Sequence, residues 1–363
     1  MRSEEPNRLK RLPLATDGRG AAPSSLPTPH SSLSGSHSSL VDSFGRAHNN
    51  LRISVTDRCN LRCTYCMPEE VVFRDRSELL TFEEMAHFVE VAAPLGIDKV
   101  RLTGGEPLMR RDLHKLVELL VRIPGIRDVG MTTNGVLLAD RAQALFDSGL
   151  RRLNVSLDTL DPGRFRELTR RDGLDKVLDG LAAAKRVGFH PIKVNAVAIR
   201  GYTDIDAVPL ARFAREHGFE MRFIEYMPIG ADAWERDKVY FGHEILEQLE
   251  KTFGPLTPAP DYDPRAPAMD FFYTDGARVG LIASVSRPFC RSCNRLRLTA
   301  EGKLRNCLFA LDEIDVKPLL RDKPDDAALA EAIRRNVAAK WEGHEINTAR
   351  FVKPERTMHA IGG

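Results

Sequence analysis

The stretch Leu51-Arg52-Ile53-Ser54-Val55-Thr56 sets an apolar side chain at every second position and a polar or cationic one between. Strand side chains alternate between two faces, so Leu51, Ile53 and Val55 share one face and Arg52, Ser54 and Thr56 the other. The split recurs down the chain. Val100 and Leu102 oppose Arg101 and Thr103; Leu153, Val155 and Leu157 oppose Asn154, Ser156 and Asp158; Ile192 and Val194 oppose Lys193 and Asn195. Strands are expected over 51–56, 99–103, 128–133, 152–157, 192–199 and 221–226, with helical patterns over 81–93, 112–122, 174–187 and 205–217 between them. Repeated βα units imply parallel strands with right-handed crossovers. A parallel sheet covered by helices on both faces reads as nearly continuous apolar runs, and these strands do not. The expected fold is α/β, a partial (β/α)6 TIM-type barrel with helices outside and a polar, ligand-filled lumen inside.

In parallel α/β folds the site lies at the carboxyl ends of the strands. After the first strand stands Cys59-Asn60-Leu61-Arg62-Cys63-Thr64-Tyr65-Cys66, three thiols that one short loop can bring to a point. Thiolates at this spacing suit an iron–sulfur cluster, and three ligands for four irons leave one iron open for chemistry. Zinc is the alternative, but a structural site wants four ligands and no fourth Cys or His follows closely on Cys66. A disulfide framework fits poorly with six cysteines in 363 residues and no secretory signal. After the second strand comes Gly104-Gly105-Glu106-Pro107, whose glycine pair lets backbone approach a ligand closely. Asn134-Gly135, Asp158-Thr159 and Met227-Pro228 follow the third, fourth and sixth strands.

A further helix is expected over 242–251, then a loop containing Pro255, Pro258, Pro260, Pro264 and Pro267. That loop divides a core domain, 46–254, from a C-terminal domain, 255–363. Asp275-Gly276, flanked by the apolar runs 271–274 and 277–285, signals a hairpin, so the C-terminal domain opens as antiparallel sheet; a helix is expected over 327–341. Residues 1–45 read as a disordered extension, because the Ser, Pro, Gly and His of 24–40 cannot bury enough apolar surface to offset ordering entropy. Glu4 and Glu5 sit badly with a cleaved organellar leader.

The remaining thiols form a second triad: Cys290-x-x-Cys293, thirteen residues, then Cys307. Two triads that use every cysteine point to a second cluster, with a mixed-ligand zinc site as the alternative. In Asn294-Arg295-Leu296-Arg297-Leu298, a strand would put Arg295 and Arg297 on one face, and guanidiniums are planar bidentate donors to phosphate. Together with Arg52, Arg101 and Lys193 they concentrate cations in one cavity of a nearly neutral chain, which suits a polyphosphate. A formal net charge of +2 argues for no global attraction to nucleic acid or membrane, and no apolar run reaches the roughly 20 residues of a membrane span. Unpaired cysteines suit a reducing compartment, and a cytoplasmic location is expected.

The first cysteine loop, with Tyr65 before its third Cys, resembles the Cys-x-x-x-Cys-x-x-Cys signature of radical S-adenosylmethionine (SAM) enzymes, and Gly104 to Pro107 their SAM-amino motif. The stretches 51–59, 101–108, 154–158, 222–227 and 293–297 and the Gly362-Gly363 end are together similar to the GTP 3′,8-cyclase family of molybdenum cofactor biosynthesis, over Asp42 to Gly363. The resemblance implies a barrel whose lateral opening is closed by a cluster-binding C-terminal domain, and two 4Fe-4S clusters, one on Cys59, Cys63 and Cys66 and one on Cys290, Cys293 and Cys307. It implies SAM contacts from Tyr65, Gly105, Ser156 and Met227, and GTP contacts from Arg52, Arg101, Thr132, Lys193, Arg295 and Arg297, with Arg52 counted as catalytic. The implied reaction takes hydrogen from C3′ of GTP with a 5′-deoxyadenosyl radical, joins C3′ to C8, and yields (8S)-3′,8-cyclo-7,8-dihydroguanosine 5′-triphosphate. It also implies a low-potential electron donor, cyclic pyranopterin monophosphate synthase as product acceptor, and room for a homodimer. In the family the double-glycine tail enters the site; by itself such an end would fray. A radical SAM peptide- or sugar-modifying enzyme could share both triads, but a neutral substrate has no use for the cations. A non-catalytic cluster or zinc module leaves the Gly104 to Pro107 loop and the polar face unexplained.

Overall fold

The computed structural model describes residues 40–230, 233–261, 263–322 and 324–362. Its first six strands are β1 (Asn50–Ser54), β2 (Lys99–Thr103), β3 (Asp128–Thr133), β4 (Arg152–Ser156), β5 (Ile192–Ala198) and β6 (Glu220–Glu225), within two residues of their expected bounds. They pair in parallel in sequence order. Leu51, Ile53, Val100, Leu102, Leu153, Val155 and Val194 are buried against the helices, while Arg52, Arg101, Asn154 and Lys193 lie half-buried on the opposite face. The alternation thus corresponds to a helix-packed outer face and a polar inner one.

The helices Phe82–Ala92, Leu113–Arg122, Leu174–Val187, Thr203–His217 and Gly242–Phe253 stand where the 3.6-residue period put them. Phe82–Ala92 is started by a reciprocal cap, Thr81 Oγ1 accepting from Glu84 N at 3.1 Å and Glu84 Oε2 from Thr81 N at 2.7 Å. Two short helices, Ala142–Asp147 and Pro162–Thr169, were not expected. The second begins with Pro162 after Asp161, whose carboxylate accepts from Arg164 N at 2.8 Å, a start signal carried by only two residues.

The C-terminal strands are β7 (Thr257–Pro258), β8 (Met269–Phe272), β9 (Arg278–Ile282), β10 (Arg295–Leu298), β11 (Lys303–Arg305) and β12 (Ile314–Asp315). The expected hairpin is β8–β9, antiparallel. These strands extend the barrel sheet on both edges, giving the twelve-stranded order β12-β11-β10-β1-β2-β3-β4-β5-β6-β9-β8-β7. β10 joins β1 in parallel and β9 joins β6 in parallel, so the outermost antiparallel strands are separated from the core by one parallel strand on each side. The chain between β9 and β10 therefore passes from one edge of the open barrel to the other, and Cys290 and Cys293 lie on it.

Glu225, at the end of β6 and 2% exposed, anchors the start of this crossing. Its carboxylate accepts from Gly242 N at 3.0 Å, Val285 N at 2.8 Å, Ser286 N at 2.7 Å and Ser286 Oγ at 2.5 Å. At the far end Asn294 Nδ2 donates to Asn49 Oδ1 at 2.7 Å and Asn294 O accepts from Asn50 N at 3.2 Å.

The expected disordered extension is corrected at its inner end. Leu40 and Asp42 are buried, and Asp42 Oδ2 accepts from Arg46 Nε at 2.6 Å and shares a 3.0 Å hydrogen bond with His48. A buried carboxylate bonded to Phe44, Arg46 and His48 holds a loop that lacks apolar periodicity, which composition could not reveal. Residues 1–39 of that expectation lie outside the described residues.

Replacing Glu225 with Ala strands two buried backbone N–H groups, those of Gly242 and Val285, at about 1–3 kcal/mol each, and frees the Ser286 N–H and hydroxyl besides. Urea denaturation of the metal-free Glu225→Ala protein should show a loss of about 3 kcal/mol or more; a midpoint equal to that of the parent chain would mean the crossing is held elsewhere.

Candidate active site

The first cysteine loop is held from three sides. Arg62 N donates to Thr169 O and Thr64 N to Leu168 O, both at 2.9 Å, so the unexpected helix Pro162–Thr169 is its floor. Cys66 N and Met67 N both donate to Cys63 O, at 2.9 and 3.2 Å, which closes the turn between the second and third thiols. Cys59 Sγ accepts from Leu61 N at 3.4 Å and from Asn134 Nδ2 at 3.7 Å. Asn134 is itself placed through Glu106, a buried carboxylate that accepts from Asn134 N at 2.6 Å, Thr133 Oγ1 at 2.7 Å and Leu108 N at 3.0 Å. Burial pushes Glu106 up to about 7, its three donors only partly opposing the shift.

Gly104 and Gly105 are wedged against the chain just before Cys59. A Cβ on Gly104, where φ is +153°, would stand 2.5 Å from Thr56 O, and one on Gly105 2.5 Å from Arg58 O. Gly105 N and Glu106 N donate to Thr56 O and Arg58 O, each at 2.8 Å. The close approach expected of a ligand is thus made first by the protein's own backbone, and it sets the cysteine loop against β2.

Burial drives Cys59 up to about 11 and Cys63 well above an ordinary thiol, with Cys66 and Cys59 adding to the penalty at Cys63. Neighbouring, partly buried thiols that resist ionisation alone are a donor set that suits a strongly cationic cluster, and N–H groups aimed at Cys59 suit its sulfur. Tyr65 Oη donates to Asp158 Oδ2 at 2.6 Å, and Asp158 Oδ1 accepts from Val197 N at 2.8 Å. Ser156 is half-buried beside Asp158, in a small cleft with Cys63 and Leu61. Met227 packs against Ile229 and Val285, where the crossing leaves β6.

The second triad has a different electrostatic setting. Cys290 and Cys293 flank a single turn, with Cys293 N donating to Cys290 O at 3.1 Å. Arg295 Nη2 and Nε lie 3.2 and 3.4 Å from Cys293 Sγ, and Lys340 Nζ lies 3.4 Å from it. Burial alone would raise Cys293, but the Arg295 and Lys340 cations outweigh it and hold the thiol down at about 6. Cys290, which lacks such contacts, is pushed up by burial. A thiolate set beside fixed cations fits a metal–sulfur centre.

Between the triads runs a row of cations. Arg297, Arg52 and Arg101 are register partners on β10, β1 and β2, and the next partner is Gly130 on β3. A Cβ there would stand 3.2 Å from Arg101 Cζ, so the guanidinium lies over the glycine. Arg297 and Arg101 are each lowered to about 10 by burial and by neighbouring arginines, and Arg52, flanked by Arg297, Arg295 and Arg101, is lowered further. Arg101 Nη1 is buried with no hydrogen-bond partner. Farther round, Lys193 pairs with Glu220 at 2.6 Å and Arg222 with Asp270 at 3.6 Å. Thr132 is half-buried opposite Asn154 on the same face. Arg295 departs from the expected shared face, since its guanidinium turns to Cys293 and lies over the Phe289 ring at 4.6 Å.

The C-terminal tail enters the lumen. A Cβ on Gly362 (φ +82°) would meet Thr103 Oγ1 at 2.6 Å and Ser54 Cβ at 2.8 Å, and Arg297 Nη1 donates to the Gly362 carbonyl. Gly363 lies outside the described residues. Sequence reasoning noted the loops holding Asn134 and Asp158 but not these side chains, and it missed Lys340 and Arg46, which carry no local motif.

Residues 53–214 match the radical SAM superfamily model, and residues 219–346 match the one described as molybdenum cofactor synthesis C. Among solved structures, Streptococcus suis SuiB bound to S-adenosylmethionine is similar at a TM-score of 0.57, 18% identical over 79% of this chain and 68% of that one. Native anSMEcpe with bound AdoMet is similar at 0.54, 15% identical over 80% of this chain and 84% of that one. At such identities the likeness concerns the fold, and fold and first triad together define the class of radical SAM proteins. Curated relatives narrow it: the GTP 3′,8-cyclase of Rhodopirellula baltica is 49% identical over 89% of this chain and 92% of its own length, and that of Thermodesulfovibrio yellowstonii 43% identical over 89% and 100%. The chain belongs to the GTP 3′,8-cyclase family.

The two triads should differ in reactivity when metal-free. Anaerobic alkylation with iodoacetamide, mapped by mass spectrometry, should label Cys293 at a rate that falls below pH about 6 and is flat from pH 7 to 8, while Cys59 stays nearly unlabelled in that range because its thiol ionises near 11. Equal rates for the two at pH 7 would contradict the electrostatic contrast.

Proposed function

We infer that this chain is the radical SAM lyase that converts GTP to (8S)-3′,8-cyclo-7,8-dihydroguanosine 5′-triphosphate in molybdenum cofactor biosynthesis. The observation that carries the reading is the row Arg297, Arg52 and Arg101 on the lumen face, next to a cysteine triad two of whose members, Cys290 and Cys293, lie on the crossing segment. Like charges buried side by side are costly, and a triphosphate is a ligand that turns the cost into binding. Arg offers it paired, charge-assisted donors.

In this reading Cys59, Cys63 and Cys66 hold a 4Fe-4S cluster with SAM, and Tyr65, Gly105, Ser156 and Met227 surround the SAM site. When bound, that group supplies the one-electron cleavage of SAM that begins hydrogen abstraction at C3′ of the substrate. Cys290, Cys293 and Cys307 would hold a second 4Fe-4S cluster, which would supply a binding point for the guanine end of GTP. Arg52, Arg101 and Arg297 bind the triphosphate, Thr132 and Lys193 line its path, and Arg295 sits between phosphate and second cluster. Lys193 exchanges its Glu220 partner for phosphate. The crossing segment and the Gly362 tail narrow the open side of the barrel and keep water from the reacting sugar. Arg52, at the centre of the row, touches the substrate and is the residue whose loss most disturbs its alignment.

The same reading calls for a low-potential electron donor and for cyclic pyranopterin monophosphate synthase as acceptor of the product, and it is compatible with a homodimer. No helix among the described residues is long and apolar enough to cross a membrane, and the six free cysteines suit the reducing cytoplasm.

Arg101→Met and Arg295→Ala should each weaken GTP binding about tenfold or more, the loss expected of one charge-assisted hydrogen bond, in anaerobic calorimetry. Cys59→Ala should abolish 5′-deoxyadenosine formation, read by mass spectrometry after incubation with SAM, GTP and a strong reductant, yet leave GTP affinity unchanged in the same calorimetry. Unaltered GTP affinity in both arginine variants would sink the assignment of the cationic face.

A further inference from the structure

We propose that Lys340 is the positioning residue of the second cysteine triad: its buried ammonium sets the two arms of the cysteine loop before metal arrives, then raises the reduction potential of the bound cluster. The proposal rests on the reading that Cys290, Cys293 and Cys307 hold an iron–sulfur cluster.

Lys340 is 4% exposed and follows the helix Asp326–Ala338 by two residues. An ammonium has three N–H donors, and three acceptors stand round this one: Asn306 O at 2.7 Å, Arg295 O at 2.9 Å and Cys293 Sγ at 3.4 Å. The two carbonyls are not arbitrary. Arg295 lies two residues beyond Cys293, and Asn306 directly precedes Cys307. One nitrogen thus ties the second and third cysteines of a set separated by the whole β10–β11 hairpin.

The helix that carries Lys340 is registered on the same hairpin. Asn306 Nδ2 donates to Asn336 O at 2.9 Å, and Asn336 Nδ2 donates to Leu304 O at 3.3 Å. The remaining cysteine is fixed from the other side, Cys290 O accepting from Arg46 Nη1 at 2.8 Å, while the same guanidinium holds Glu342 O and Trp341 O, each at 2.6 Å. The segment around Lys340 is therefore clamped on both sides, and the nitrogen cannot swing to solvent without breaking the clamp.

The acceptors of Lys340 include no carboxylate. A buried ammonium without a countercharge is costly, and here the available negative charge is sulfur. A bound cluster with three thiolates is anionic, and a fixed cation beside one of its sulfurs favours the more negative, reduced form. Net charge and hydrogen bonds to sulfur are among the levers that set such potentials. Removing the cation shifts the potential to more negative values.

The test uses the full chain with Cys59→Ser, Cys63→Ser and Cys66→Ser, so that only the second triad is counted. This protein and its Lys340→Met and Lys340→Arg derivatives are reconstituted with iron and sulfide, challenged with a chelator, analysed for iron, and titrated for midpoint potential by electron paramagnetic resonance. Lys340→Met should retain about tenfold less iron, the loss typical of a residue that orients metal ligands, and the cluster that remains should have a more negative potential; Lys340→Arg should restore the potential towards that of the parent. In the metal-free proteins, amides from 294 to 306 should exchange faster in Lys340→Met. Equal iron retention and potential in Lys340→Met overturn the proposal. Reduced retention with an unchanged potential overturns it as well, because that is the mark of a merely structural lysine. If Lys340→Met does not fold, Lys340→Gln, which keeps donors but not charge, is read by the same two measurements. If the parent with Lys340 intact takes up no iron, the cluster reading itself has failed, and the proposal falls with it.

Discussion

Three guanidiniums side by side on adjacent strands are the constraint around which the lumen is built. Arg297, Arg52 and Arg101 share one register row, and each is held below its ordinary pKa by burial and by its neighbours. Carboxylates could neutralise such a row, and the sheet has them at Asp128, Glu220 and Asp270. Those are taken by Arg152, Lys193, Arg222 and Arg278 instead. The row is left with a buried, unpartnered Arg101 nitrogen and the carbonyl of Gly362. Among the described residues no carboxylate pairs with these three, whereas their lumen neighbours Lys193 and Arg222 are balanced, and the row keeps its attraction for an anion.

The open side of the barrel explains why both halves of the chain are needed for one site. Strands β9 and β10 are neighbours in sequence but sit on opposite edges of the core, so the chain between them must cross the gap. Glu225 anchors its start through the Val285 and Ser286 N–H groups and the Ser286 hydroxyl, and Asn294 anchors its end. Because Cys290 and Cys293 lie on this crossing, anything they bind faces the lumen from its open side, beside β10, the strand where the row of cations begins. Shape and charge are fixed by the same segment.

Each triad is surrounded by what its thiols require. The first is held by backbone: a turn closed on the Cys63 carbonyl, a helix end under Arg62 and Thr64, and two glycines pressed against Thr56 and Arg58. The second is held by charge, with Arg295 and Lys340 on Cys293 and Arg46 on the Cys290 carbonyl. Burial leaves Cys59 and Cys63 with raised pKa values, whereas the cations beside Cys293 outweigh its burial and hold it down at about 6. The contrast follows from placement, since the first loop grows from a strand end and the second spans a gap.

Alternation in 51–56 and its counterparts was enough to read the barrel, because a period of two is a local property and each strand buries one whole face. The spacing of Cys59, Cys63 and Cys66 is local in the same way. The hairpin at Asp275-Gly276 was legible too. What local pattern could not carry is any contact made across the sheet or between distant segments. The row of arginines depends on register between three strands, one of them, β10, 245 residues from its partner in β1. The pairing of β9 and β10 with opposite edges, the packed loop at Asp42, the turn of Arg295 towards Cys293, and the seats of Asn134 and Lys340 all depend on what lies adjacent in space. The sequence by itself therefore determined the barrel strands, the longer helices and the chemical character of the site; tertiary structure alone decided which charges meet, because burial and proximity, not residue type, set whether a cation is paired, exposed or left for a ligand.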